Sequence, residues 1–164
     1  MIKKYSLSVW FALILFGQTY GQDVMKRLDF IIVIDDNIAV GSIASLQIAM
    51  MSGGGTKEFI SASYYPGNLS LTENDYGKLM SDSVKAIYLK FTHYEYVGQK
   101  QTTYNYDIEL KREWLGDYFN ILRVYDLNKK VYKRKYSPNG ADKNCAYEIE
   151  SPSHSFRLIE RKNE

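Results

Sequence analysis

The chain is short of the residues that most often build a chemical site. It has one cysteine, Cys145, and two histidines, His93 and His154. One cysteine excludes an intramolecular disulfide. Two histidines exclude a three-histidine zinc site. No serine lies in a Gly-x-Ser-x-Gly elbow. Ser52-Gly53-Gly54-Gly55-Thr56-Lys57 lacks the Gly-Lys-Ser/Thr order of a phosphate loop, so it reads as a flexible hairpin tip. No catalytic residue is therefore assigned, no cofactor is implied, and an enzyme of unknown type ranks third among the functional readings.

Long apolar runs are also missing. Leu7 to Gly17 is mostly apolar but covers eleven residues, against about 20 for a membrane-spanning helix. Lys3 and Lys4 precede it, and the small residues Thr19 and Gly21 follow it. That three-part layout predicts a signal peptide over 1–21, cleaved to leave one domain over 22–164. With no cysteine at the cut for lipid attachment, the expected location is periplasmic or secreted, with no membrane span after cleavage. Cys145 is odd in an oxidising compartment. Its neighbours alternate like a strand, with Cys145, Tyr147 and Ile149 on one face, which predicts a buried small hydrophobe.

An excess of one charge is lacking too. The whole chain has 21 Lys and Arg against 19 Asp and Glu. Lys3 and Lys4 lie in the leader, so residues 22–164 balance, which argues against a nucleic-acid binder. The halves differ, however. Residues 22–110 hold 7 basic and 11 acidic residues; 111–164 hold 12 and 8.

What the chain does have is alternation with period two and many tyrosines, fifteen in all. Tyr104, Tyr106, Ile108 and Leu110 face one way; Asn105, Asp107, Glu109 and Lys111 face the other. Lys85 to Val97 repeats this, and further strands read at 27–34, 43–51, 58–64, 118–127, 130–136, 145–150 and 155–161. The run 28–34 is the most apolar and should be a central strand. Turn clusters fall at 35–37, 52–55, 66–68 and 138–140. Only 72–82 reads as a helix, with Thr72 and Asp75 at capping-box spacing. The expected fold is all-β: an antiparallel two-sheet sandwich, immunoglobulin-like or similar, of about 8–9 strands. Trp114 is expected to plug the core.

Five positive charges fall in a predicted hairpin over 128–136: Lys129, Lys130, Lys133, Arg134 and Lys135, with Tyr132 and Tyr136 among them. The first reading is an edge strand charged against sheet-to-sheet pairing. The second is a binding surface for a polyanion. Asp35, Asp36 and Asn37 offer oxygens to calcium, although glycine is missing at position 6 of the helical calcium loop. Asn68-Leu69-Ser70 and Asp82-Ser83-Val84 match short glycan-acceptor patterns. The functional expectation is an exported, non-catalytic β-sandwich that binds a protein partner in the cell envelope. The alternative is a carbohydrate- or envelope-polyanion-binding module, with acidic polysaccharide as its partner.

Overall fold

Phe30–Ile34 (β2) lies inside a four-stranded sheet, as its apolar sequence predicts. The computed structural model describes residues 23–140 and 142–161; the predicted signal peptide lies outside them. In chain order the remaining strands are β1 (Met25–Leu28), β3 (Asn37–Ile38), β4 (Ile43–Ser52), β5 (Lys57–Ser61), β6 (Ser63–Tyr65), β7 (Asn68–Thr72), β8 (Val84–Val97), β9 (Lys100–Leu110), β10 (Asn120–Asp126) and β11 (Cys145–Glu150). The helices are short: α1 (Glu73–Leu79), α2 (Arg112–Leu115) and α3 (Lys130–Lys135). The chain is mostly β, with strands at 53% and helix at 12%.

Three sheets result. The first has the order β11-β10-β2-β3, the second β5-β4-β8-β9, and a small third β1-β7-β6. Period-two alternation decides which side chains meet. Phe30, Ile32 and Ile34 share one core with Leu122 and Val124, and with Ile87, Leu89, Phe91, Tyr106, Ile108 and Leu110 of the second sheet. Each fully buried aliphatic side chain there contributes roughly 1.5–3 kcal/mol of transfer free energy. Trp114 is buried in this core from α2, and its carbonyl accepts from the buried Asn120 amide at 2.7 Å.

Strand pairing and strand content depart from expectation in two places, and the segment 130–136 is a helix rather than a strand. β2 and β10 pair in parallel, Phe30 against Asn120 through Ile34 against Val124. Alternation reports which face is buried and is silent on strand direction, so an all-antiparallel sheet does not follow from it. The segment 155–161 is also no strand: it makes one bridge, Phe156 to Ile149. The run 27–34 is split at Asp29 between β1 and β2, which lie in different sheets, while the expected helix start and the turn at 35–37 hold. Thr72 caps α1, its hydroxyl oxygen accepting from the Asp75 backbone N–H at 3.1 Å. Asp35 and Asp36 join β2 to β3 in a two-residue turn with φ of 49° and 66°. A type I′ turn needs positive φ at both positions, and aspartate tolerates it better than most residues. β4 carries a bulge opposite β8 between Ala44 and Gln47, with Ser45 at φ 51°.

Candidate functional site

The segment expected to be a charged strand over 130–136 is instead α3, and the reason lies beneath it. Tyr125 of β10 points away from the main core, and the rings of Tyr132 and Tyr136 pack on it at 5.2 and 4.6 Å between centroids. Two residues four apart rise about 6 Å along a helix but roughly 13 Å along a strand. Only the helix lets both tyrosines rest on one ring. Leu127, Ala146 and Leu158 complete this second apolar cluster on the outer face of the first sheet.

Helical spacing then redistributes the five cations. Lys130, Lys133 and Arg134 are exposed and form no ion pair among the described residues. Lys135 pairs with Glu160 at 2.8 Å and lies over the Tyr136 ring. Lys129 is turned inward. The edge-guard reading fails on this geometry, because none of the five sits on a strand. The exposed edge of β11 is closed by other means. The Asn139 side chain accepts from the Tyr147 N–H at 2.9 Å and donates to its carbonyl at 2.6 Å, imitating a neighbouring strand. Phe156 exchanges both backbone bonds with Ile149.

Lys129 belongs to an ionic cluster that joins three distant segments. Its ammonium lies 2.8 Å from Asp35 and 2.7 Å from Glu95. The other Glu95 oxygen accepts from the Tyr104 hydroxyl at 2.9 Å. Asp35 also accepts from the Asp126 backbone N–H at 2.8 Å, and Asp36 accepts from the Tyr132 hydroxyl at 3.0 Å. Burial opposes the Lys129 charge, but the two carboxylates outweigh it and hold the ammonium's pKa up. The Lys129 hydrogen bond in turn holds Glu95 below the ordinary carboxylate range, against its partial burial. Of the calcium candidates, Asp35 has both oxygens engaged by protein donors, and Asn37 donates to the Asp35 carbonyl. No group of three metal-ligating side chains occurs among the described residues.

Beside this cluster lies a cleft of about 260 Å³, lined by Asp35, Ser42, His93, Glu95 and Lys129, with Ile38, Val40 and Tyr96 at its apolar wall. A histidine, a serine and two acids thus share one concavity. They are not wired for acyl transfer, which needs a serine hydroxyl on the imidazole and an acid behind it. Nδ1 of His93 is buried without a partner among the described residues, and the carboxylates serve Lys129 and Tyr104. Burial lowers the His93 pKa, the neighbouring Glu95 opposing it. His154 meets Asp117 at 3.3 Å in the loop after β11. Among the described residues no serine hydroxyl hydrogen-bonds to either imidazole ring.

Cys145 is buried, as its alternation predicts. Burial pushes its thiol up to about 12, with the Asp142 carboxylate adding to the effect. Of the residues matching short glycan-acceptor patterns, Asn68 opens β7 and accepts from the Ser70 hydroxyl at 2.6 Å; Asp82 is exposed and pairs with Arg112 at 2.9 Å. The Lys129 cluster is absent from the sequence reading. Its one local signal is a pair of aspartates at a tight turn directly after the most apolar strand. Compared with known protein families, with characterised proteins and with solved structures, the chain matches none.

Proposed function

We propose that the chain is an exported, non-catalytic β-sandwich that acts by binding an anionic polymer of the cell envelope, such as an acidic polysaccharide. The reading takes the fold as a two-sheet sandwich of broadly immunoglobulin-like kind, which the core shared by the two four-stranded sheets supports. One observation carries the ligand assignment. α3 packs the half-buried Tyr132 and its buried C-cap Tyr136 on Tyr125 and presents Lys130, Lys133 and Arg134 outward, without a carboxylate partner among the described residues. Like charges left unpaired on one short helix repel one another, and a polyanion relieves that repulsion.

The test is affinity of residues 22–164 for polygalacturonate over a series of ionic strengths. Binding should weaken as salt screens exposed charges, and K130S/K133S/R134S should abolish it while staying folded. Salt-insensitive binding, or none in dilute buffer, overturns the assignment. A second reading keeps the envelope protein partner. It is favoured by Ile38, Val40 and Tyr96, all more than half exposed along the charged cleft. Capture of one envelope protein that resists salt and is lost in Val40→Asp would support it over the first.

A further inference from the structure

We propose that a concavity between α3, the loop after it and the C-terminal segment is a discrete site for one small anionic group. Carboxylate, phosphate and sulfate share the chemistry it recognises. The inference rests on the anionic-ligand reading above and adds to it a defined pocket and two residues outside α3.

The concavity measures about 250 Å³ and draws on three chain segments. Lys133 comes from α3, Lys143 from the loop before β11, and Arg161 from the C-terminal segment. No carboxylate lines it among the described residues. The acids nearest in sequence do not face the concavity's lining. Oδ1 of Asp126 accepts from the Asn128 backbone and side-chain N–H groups, both at 2.9 Å, and its Oδ2 is buried with no partner among the described residues. Asp142 accepts from the Asn144 N–H at 2.8 Å, and Glu160 pairs with Lys135.

The cations are also held in place. The Arg161 backbone N–H donates to the Lys135 carbonyl at 2.9 Å, pinning the C-terminal segment to the end of α3. Its Nε donates to the Ser137 hydroxyl at 2.9 Å, and its two terminal nitrogens have no partner among the described residues. A guanidinium fixed at Nε presents its remaining fork to a planar or tetrahedral oxyanion. Lys143 leans on the Gly140 carbonyl at 3.2 Å. Leu127 and Tyr136, both buried, form an apolar floor. Charged walls over such a floor suit an acidic sugar, whose ring covers apolar surface while its acid group meets the cations.

The test is calorimetric titration of residues 22–164 with inorganic phosphate, sulfate and galacturonate, each alone. Saturable binding of at least one is expected. Lys143→Gln and Arg161→Gln should each weaken it about tenfold, a loss of one charge-assisted contact. Arg161→Lys, which keeps the charge without the fork, should weaken it less. Lys57→Gln, exposed on β5 and outside both the pocket and α3, should change it less than about twofold if the site is discrete, since a distant exposed charge is screened. Tighter binding of galacturonate than of the inorganic ions identifies a sugar acid as the source; the reverse identifies a free oxyanion. No saturable binding of any of the three, or equal loss in Lys57→Gln and the pocket variants, overturns the site. Polygalacturonate binding that survives such a failure leaves the broader reading standing. Small-anion binding without polymer binding does the opposite.

Discussion

Lys129 and Asp35, ninety-four positions apart in sequence, meet at 2.8 Å and tie the start of α3 to the turn after β2. Glu95, on β8, takes the other side of the same ammonium. Five cations that look alike in sequence therefore do different work. Lys129→Met should destabilise the fold by about 1–2 kcal/mol, because it strands a mostly buried Asp35 carboxylate; partial exposure of Lys129 and Glu95 limits the loss. Lys130→Met should stay within about 0.5 kcal/mol. Urea unfolding of both variants checks it, and equal losses would contradict the assignment.

Acid should weaken the fold in two stages. His93 has a lowered pKa in the fold because it is buried. The unfolded chain therefore takes up a proton first, and stability falls as pH drops through about 6.5, the ordinary histidine value. Glu95 has a lowered pKa because Lys129 binds its charged form. Its contribution is complete above the ordinary carboxylate range and disappears as pH falls through its lower folded value. Urea midpoints between pH 8 and pH 3 should show both stages. His93→Gln should remove the first and Glu95→Gln the second.

The facing of β9 gives a sharper contrast. Ile108 and Leu110 are buried in the core, and Glu109 between them is exposed. Ile108→Asp or Leu110→Asp should unfold the domain or cost more than about 3 kcal/mol, as an unpaired buried charge does. Glu109→Lys should cost under about 0.5 kcal/mol. Thermal melts followed by circular dichroism decide between them.

Cys145 should be silent in the native protein. A thiol pushed up to about 12 and shielded from solvent offers almost no thiolate at pH 8. Ellman's reagent should find no reactive thiol in buffer and one per chain in concentrated urea. Rapid labelling of the folded protein would place the side chain elsewhere.

Export, if it occurs as proposed, has a defined product. The native protein should begin at Gln22, because Thr19 and Gly21 are the small-residue pair that follows the apolar run. Intact mass of material from the native host checks the cut, and a full-length chain retained in the membrane fraction refutes it.

Most strands are legible in the sequence because one face of each is buried, and burial writes itself as alternation: Tyr106, Ile108 and Leu110 in, Asn105 and Glu109 out. α3 is not legible for a specific reason. Tyr132 and Tyr136 share a face in a helix and in a strand alike, and what separates the two is Tyr125 beneath them, on another element. The ionic cluster is hidden for a related reason. Asp35, Glu95 and Lys129 are brought together by the parallel pairing of β2 with β10 and the pairing of β4 with β8, and no local pattern encodes either. Arg161 and Lys143 look like ordinary surface charges until the C-terminal segment folds back onto α3.

The parallel pairing of β2 with β10 also fixes an order of events. Phe30 finds its partner in Asn120, ninety residues later, so at roughly 5–20 residues per second of synthesis the β10-facing edge of the most apolar strand waits several seconds bare, β3 pairing only with Val33 and Ile34 on the other edge. A contact of that sequence separation slows folding, since the intervening chain must close before the pairing stabilises anything. A chain stopped before Asn120 leaves that strand's long edge bare. Premature termination then yields an aggregation-prone fragment rather than a smaller version of the domain.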